Sequence, residues 1–383
     1  MQPNNEAMEG LLREGVEALQ RGRAAEAKDR FEAVTQTGRA SAQIWLLLAS
    51  ACRAAEDFAA EEAALDTLLA LEPRTIRGRI MKGDCRVRAG DEGIALGFYK
   101  SAVLIAAGQS LPADLTAEVQ RAQTTATMLD ERRQAKREAT LAAQGVPPEN
   151  RSARFQRSLD ILSGKKQIYV QEPTSYYFPG LPQIQFFDPA EFGWVADIER
   201  ATAAIQQEIG ALLAEGIEGF RPYIQTDPNR PRLDDSVLRD SRDWSALFLC
   251  ENGVEFDDVI ARCPQTWAAV QKAPLPRIAS SPTVMFSLLR AGARIAAHTG
   301  THNTRLVCHL PLIVPRDCGF RVGNETRPWV EGKVLVFDDS IEHEAWNGSD
   351  RDRVVLIFDI WRPELTEQER REVGALFQAS ALE

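Results

Sequence analysis

Histidine is scarce in this 383-residue chain, and the signals that identify several common protein classes are missing. No apolar run reaches the roughly 18 residues that span a membrane, and no basic segment followed by an apolar stretch forms a leader at the N-terminus. The six cysteines form neither a CxxC pair nor a disulfide spacing, so free and mostly buried thiols are expected. These absences together predict a cytoplasmic protein with no disulfide framework.

Composition and charge narrow the fold and the partners. Hydrophobic residues at 44% and charged residues at 26% describe an ordinary globular protein, and the length favours two domains over one. The net charge of −10 disfavours nucleic acid or an anionic membrane surface as the main partner.

The first 110 residues predict successive helices with a 34-residue period. Small residues recur at Gly15, Ala49 and Gly83, and bulky ones at Phe31, Leu65 and Tyr99. Gly22, Glu56 and Gly90 follow the same interval. A small residue in one helix lets the next pack closely, while a bulky residue fills the groove. This pattern resembles the tetratricopeptide repeat. Glu56 and Glu61 occupy small positions of the middle unit, which leaves a generic helical bundle as the alternative.

Adjacent prolines divide the chain. Residues 111–143 continue the helical pattern as a long capping helix, and Pro147-Pro148 then interrupts it. We therefore assign residues 1–143 to a helical repeat domain, 144–150 to a linker and 151–383 to a second domain.

The second domain is predicted to be rich in strands. One amphipathic helix is expected over Ile198–Glu215, followed after residue 282 by short β-type runs. These runs are Thr283–Leu289, Arg305–Val314, Lys333–Phe337 and Arg353–Trp361. Their length and spacing favour a sandwich or barrel, so the predicted fold is an α + β multidomain chain.

All four histidines, His298, His302, His309 and His343, lie in this strand-rich part. Neutral imidazole is a common ligand of transition metals. Strand alternation places Arg305, Val307 and His309 on one face, and a buried arginine and histidine there need an anion or another partner. Two distant histidines with Arg353 beyond them could hold a metal and a bound carboxylate, which an arginine fork meets at both oxygens.

An ordered set of motifs accompanies the histidines. It comprises His298-Thr299-Gly300, Asn303, Arg305, His309-Leu310, Gly323-Asn324-Glu325-Thr326, Trp329, Glu331-Gly332-Lys333, Phe337-Asp338-Asp339-Ser340, His343-Glu344, Trp346 and Trp361-Arg362-Pro363-Glu364-Leu365. The set resembles the aspartyl/asparaginyl β-hydroxylase family, closely over about 280–365 and loosely over 175–280. The resemblance implies a double-stranded β-helix (jelly-roll) oxygenase that uses Fe(II), 2-oxoglutarate and O2. Animal members of the family also carry an N-terminal tetratricopeptide-like region.

The resemblance also implies a function for individual residues. The family's two iron ligands match His298 and His343, its 2-oxoglutarate contacts match Ser287, His309 and Arg353, and one substrate-binding arginine matches Arg305. A second family arginine is replaced here by Val307. A buried carboxylate that loses a charge partner binds more weakly, so this departure puts an acidic substrate in doubt.

Gly300 stands where related oxygenases carry a third, carboxylate ligand. The resemblance implies that water fills this position. Asp338 and Asp339 are expected to form a turn or to orient His343 instead of binding the metal.

The expected activity is hydroxylation of the β-carbon of an aspartyl or asparaginyl residue in a peptide or protein, and a protein substrate could dock on the helical repeats. The alternatives are a hydroxylase of a free amino acid or lipid, and an inactive binding module. Several residues also have simpler explanations. His302 would be a surface loop residue, His309 a core histidine, Arg353 a partner of Asp350 or Asp352, Arg239 and Arg242 solvated loop residues, and Trp329, Trp346 and Trp361 packing residues.

Overall fold

The computed structural model describes residues 5–216, 219–226 and 236–380. The chain divides into two compact units, Met1–Leu159 and Asp160–Glu383. The division falls within a short helix, Ala153–Leu162. The domain bounds drawn from the sequence at residues 143 and 151 stay a prediction.

The first unit consists of helices in antiparallel pairs, which confirms the predicted helical repeats and capping helix. The helices are α1 (Asn5–Gln20), α2 (Ala24–Thr35), α3 (Ala42–Ala54), α4 (Phe58–Leu71), α5 (Ile76–Arg88), α6 (Glu92–Ala106), α7 (Ala113–Ala143) and α8 (Ala153–Leu162). The pairs α1/α2, α3/α4 and α5/α6 pack in succession, and α7 covers α6.

The small residues that recur every 34 positions lie where the two helices of a pair approach most closely. A β-carbon on Gly15 would lie 2.7 Å from the ring of Phe31, and one on Gly83 equally close to the ring of Tyr99. Overpacking of this kind is destabilising. In the middle pair the two positions are taken by Ala49 and Leu65, both buried. Alanine is larger than glycine and leucine is smaller than phenylalanine or tyrosine, so a larger residue in the first helix accompanies a smaller one in the second.

The two glutamates that depart from the repeat pattern have separate structural explanations. Glu56 has a φ of 59°, close to the 73° and 81° of Gly22 and Gly90. Glu61 is completely buried, where its carboxylate accepts a 2.6 Å hydrogen bond from Arg53 Nε and a second bond from Arg88. The middle repeat therefore contains a buried ion cluster where a small residue was expected.

The second unit contains two antiparallel sheets. Its strands are β1 (Phe186–Phe187), β2 (Arg221–Pro222), β3 (Trp244–Glu251), β4 (Val254–Glu255), β5 (Val284–Leu289), β6 (Arg294–His298), β7 (Arg305–Ile313), β8 (Cys318–Val322), β9 (Glu325–Arg327), β10 (Leu335–Phe337), β11 (His343–Asn347) and β12 (Arg353–Trp361). In the described residues the major sheet runs β1-β10-β7-β12-β5-β3-β2, with β4 beside β3, and the minor sheet runs β6-β11-β8-β9. This arrangement confirms the predicted jelly-roll fold.

Helices cover one face of the major sheet. They are α9 (Val195–Arg200), α10 (Thr202–Ala214), α11 (Asp257–Arg262) and α12 (Pro264–Val270), and α13 (Glu367–Ser380) follows the last strand. The single helix predicted over Ile198–Glu215 is wrong. The chain turns at Ala201, whose amide donates to the carbonyl of Ile198 only three residues back.

The major sheet separates two cores. Leu306, Cys308 and Leu310 of β7 pack into the core on the helix side. Val307 faces the core between the sheets, where Phe320 of β8 and Phe337 of β10 also pack. The alternation predicted for β7 is confirmed, and it leaves the polar residues of that strand between the sheets.

Candidate active site

The minor sheet brings two of the histidines together. His298 at the end of β6 pairs directly with His343 at the start of β11, and their ring centroids are 4.2 Å apart. The register shifts between His343 and Ala345, because β6 contains one more residue than β11 over this stretch. A bulge of this kind turns the following residue to the other face of a strand. His298 consequently shares a face with His343.

Both histidines are held in the same tautomer. His298 Nδ1 lies 2.8 Å from the carbonyl oxygen of Ala296, and His343 Nδ1 lies 3.1 Å from that of Ile341. A carbonyl only accepts hydrogen bonds, so each Nδ1 carries the proton and each Nε2 keeps a free lone pair. Burial lowers the pKa of His343 to about 3, and desolvation by the surrounding protein lowers the pKa of the more exposed His298. Two neutral imidazoles are the form that binds a metal.

Asp339 occupies the space that a side chain at position 300 would need. A β-carbon on Gly300 would overlap the Asp339 carboxylate, and the Gly300 amide donates a 2.7 Å hydrogen bond to the Asp339 carbonyl. Burial raises the pKa of Asp339 to about 6, and Arg305 partly opposes the rise. Within the described ranges, no three His, Cys, Asp or Glu side chains are grouped closely enough to hold a metal ion.

Arg353 is a buried cation that has no counter-ion among the described residues. Its side chain is 1% exposed, and its Nε and Nη2 have no hydrogen-bond partner within the described chain. The guanidinium lies 4.6 Å from the ring of Trp329, and burial lowers its pKa to about 10. Asp352 pairs with Arg290 instead, at 2.8 Å. A buried charge in this state needs an anionic ligand.

Further polar atoms lie close to Arg353. His309 Nδ1 is buried and unpaired within the described chain, and the positive charge of Arg353 is among the causes that keep its pKa well below the ordinary value. Ser287 lies on the neighbouring strand β5, where its Oγ accepts a 3.1 Å hydrogen bond from Trp244 Nε1. Strand pairing places Ser287 opposite Val355 and His309 opposite Ile357, so both lie on the face of the major sheet that carries Arg353.

Arg305 is the first residue of β7, and its guanidinium already forms ion pairs within the protein. Its Nη1 is 3.1 Å from Asp359 Oδ2, and its Nη2 is 3.6 Å from Asp339 Oδ2. Asp359 also accepts hydrogen bonds from Ser281 Oγ at 2.5 Å and from the Thr283 amide at 2.6 Å. The one cation that the resemblance assigns to substrate is thus held between two carboxylates.

The structure corrects the assignment of His302 to the surface. The side chain is 9% exposed, its Nδ1 is 2.8 Å from Thr304 Oγ1, and its ring lies 5.1 Å from that of Phe377 on α13. The ring of Phe377 that covers His302 belongs to a distant part of the sequence. No local pattern therefore indicates that His302 is buried. Of the other two loop residues, Arg242 is exposed and Arg239 is partly buried.

Three neighbours of the site were missed as functional candidates. Trp244 lies in a strand that alternation did not reveal, and Trp329 was assigned to packing alone. Asp359 gave a usable signal, because it is the one acidic residue in the apolar run of β12 and shares a face with Arg353.

The fold and the site define this chain as a jelly-roll protein with two adjacent histidines and a buried arginine that has no carboxylate partner among the described residues. Residues 199–363 match the family model described as aspartyl/asparaginyl beta-hydroxylase. An ornithine lipid ester-linked acyl 2-hydroxylase from Rhizobium tropici is 36% identical over 232 residues, which cover 59% of this chain and 76% of that protein. The chain belongs to the aspartyl/asparaginyl β-hydroxylase family.

Other relatives share a smaller part of their length. A mouse aspartyl/asparaginyl beta-hydroxylase is 34% identical over 211 residues, which cover 54% of this chain but only 27% of that protein. Among solved structures, PcrH in complex with the chaperone binding region of PopB matches 32% of this chain with 20% identity and a TM-score of 0.29. In the described part of the chain, no helix is both long and apolar enough to cross a bilayer.

Proposed function

We propose that this chain is an Fe(II)- and 2-oxoglutarate-dependent hydroxylase that acts on the β-carbon of an aspartyl or asparaginyl residue in a peptide. The buried guanidinium of Arg353 is the main support, because two of its nitrogens have no hydrogen-bond partner within the described chain and are available to the distal carboxylate of a dicarboxylate. Family membership supports hydroxylation as the reaction class.

Each residue of the site has a distinct task in this proposal. His298 and His343 hold the iron through their Nε2 atoms, and the two backbone carbonyls fix the ring orientations. Bound Fe(II) supplies the oxidising chemistry that converts 2-oxoglutarate, O2 and a C–H bond into succinate, CO2 and a C–OH group. Arg353 and His309 bind 2-oxoglutarate, and Ser287 completes the pocket. Apolar rings such as that of Phe337, 5.7 Å from His343, limit the access of water.

A lipid acyl chain is the second candidate substrate. The relative that hydroxylates an ornithine lipid is matched over most of its length. Val307 also replaces a substrate-binding arginine, and Arg305 is already paired with Asp359 and Asp339. With the charge of Arg305 balanced in this way, a substrate carboxylate would compete with the protein's own acids.

Succinate release tests the proposal and separates the substrates. The purified chain with Fe(II) and 2-oxoglutarate is screened against aspartyl peptides, asparaginyl peptides, free aspartate and ornithine lipids, with mass spectrometry of the products. A gain of about 16 mass units on one class identifies the substrate. His343→Ala should abolish turnover and anaerobic Mn(II) binding, because one of two protein ligands is lost. His302→Asn is the matched control and should retain both. Full activity of His343→Ala would refute the assignment.

A further inference from the structure

A buried polar cluster joins the two chain segments that carry the candidate iron ligands. We call it the loop clamp and define it as Gln171, Asn303, Asp338 and Arg362. Asp338 lies directly before the turn that leads to His343, and Asn303 lies in the loop that follows His298. The four side chains come from four separate segments, so only the folded chain brings them together.

The ion pair of the loop clamp has no access to solvent. Arg362 Nη1 donates a 2.6 Å hydrogen bond to Asp338 Oδ2, and both side chains are 0% exposed. The same oxygen accepts a 2.6 Å bond from Gln171 Nε2, while Ser340 Oγ and its amide donate to Asp338 Oδ1. Both oxygens of Asp338 are therefore satisfied within the protein.

The remaining bonds connect this pair to the loop after His298. Asn303 Nδ2 donates to Gln171 Oε1 at 2.9 Å, and Asn303 Oδ1 accepts from the Phe178 amide at 2.7 Å. The Arg362 amide donates to the carbonyl of Thr304 at 3.2 Å. The loop after His298 and the turn before His343 are thus fastened to one carboxylate–guanidinium pair.

A fully buried ion pair is a poor source of stability, because desolvation offsets most of the attraction. Apolar residues of the same volume often stabilise a fold equally well. Apart from Arg362 Nε, which forms an ion pair with Glu364 Oε2 at 3.3 Å but no hydrogen bond within the described chain, the side-chain polar atoms of the loop clamp are hydrogen-bonded. Such a network fixes one arrangement of the chain, since other arrangements leave a buried donor or acceptor unpaired. What the loop clamp adds to an apolar core is therefore a defined geometry.

We propose that the loop clamp is a positioning element that sets the placement of His298 relative to His343 and thereby the affinity for iron. The inference rests on the proposed function, since it concerns the same metal. Neither Asp338 nor Arg362 touches the metal in this account. Each acts through the backbone that carries a histidine.

Metal binding tests the inference without any need for turnover. Anaerobic titration with Mn(II), and the visible spectrum of the Co(II)-loaded protein, are measured for Arg362→Met/Asp338→Leu, which removes both charges together. We expect Mn(II) affinity to fall by about 10- to 100-fold, as for other groups that orient metal-binding histidines, with an altered Co(II) spectrum. Gln171→Met is a milder variant in case the double variant does not fold, and it should weaken binding less.

Leu212→Ala is the matched control. Leu212 is buried in α10 on the helix side of the major sheet, so its loss destabilises the same unit without touching either loop. Its Mn(II) affinity should equal that of the wild type at a temperature where it is folded. Arg362→Lys, which keeps the charge, should weaken Mn(II) binding less than Arg362→Met/Asp338→Leu does.

Two results would overturn the inference. A folded double variant with wild-type Mn(II) affinity and an unchanged Co(II) spectrum would show that the loop clamp is only structural. An equal loss of affinity in Leu212→Ala would trace the effect to general destabilisation. Failure of the wild-type chain to bind Mn(II) would instead refute the proposed function itself.

Discussion

The two units both bury a charged side chain, but they compensate it in opposite ways. Glu61 in the helical unit is 0% exposed and receives hydrogen bonds from Arg53 and Arg88. Arg353 in the β unit is 1% exposed and has no ion pair to any carboxylate in the described chain. Burial alone therefore does not distinguish these two charges. The lack of a carboxylate partner within the described chain marks Arg353 as a candidate for ligand binding.

This difference has an energetic basis. Removing one member of a buried pair strands the other charge, whereas removing a charge that is already unpaired relieves a desolvation cost. Truncation of Glu61 should therefore destabilise its unit, and truncation of Arg353 should stabilise the ligand-free protein. Two substitutions test this contrast, and a third tests the backbone of the middle repeat, which contains Glu61.

The largest effect is expected for Arg353→Met. The dissociation constant for 2-oxoglutarate, measured by calorimetry with Mn(II) present, should rise by about 100-fold or more, because a buried charge-assisted contact contributes roughly 2–5 kcal/mol. The melting temperature without ligand should rise as well. Arg353→Lys is the control, which keeps the charge but loses the two-point fork. A lower melting temperature for Arg353→Met would show that an undetected partner neutralises the guanidinium.

An intermediate effect is expected for Glu61→Ala. Loss of the buried carboxylate should lower the free energy of unfolding by about 2 kcal/mol in urea titrations, less than the 3–5 kcal/mol for a fully buried pair. The expected loss of stability is smaller because the side chains of Arg53 and Arg88 are about one third exposed and can be hydrated once Glu61 is removed. Glu26→Ala, in an exposed pair with Arg23, should change stability by no more than about 0.5 kcal/mol. Equal effects of the two variants would contradict the distinction.

The smallest effect is expected for Glu56→Gly. A non-glycine residue with positive φ is strained by about 1 kcal/mol, and the flexibility of glycine in the unfolded chain offsets part of the gain. The free energy of unfolding should rise by about 0.5 kcal/mol. Glu56→Ala serves as the control and should give no gain, since alanine keeps the β-carbon. A gain as large with alanine would trace the effect to loss of the charge.

Much of the fold could be predicted because its signals are local. The size relation between Gly15 and Phe31 has a 34-residue period, and the apolar residues Leu306, Cys308 and Leu310 occupy every second position, as on one face of a strand. Strand β3 escaped prediction because residues 244–250 are buried on both faces, so no alternation separates it from a buried helix. Ala201 gave no sign that it would interrupt a helix.

The site was only partly accessible from the sequence. Motif order identified which residues to examine, but it did not reveal that Arg353 lacks a partner or that Arg305 has two. These properties depend on contacts such as that between Arg305 and Asp359, 54 positions apart. Asn303, Asp338 and Arg362 of the loop clamp belong to the motif set, but their connection through Gln171, which is 167 positions from Asp338, is not visible in the sequence.

The pairing of His298 with His343 depends on the number of residues in β6 as well as on the presence of the two side chains. With regular pairing from Ala345 and Ile295 onward, Ala297 would stand opposite His343, and His298 would project from the other side of the sheet. A homologue that lacked one residue here could keep all donors in order and still be unable to chelate. The number of residues between His298 and Ile295 therefore helps to distinguish active from inactive members of the family. A comparison of the side chains alone would miss this difference.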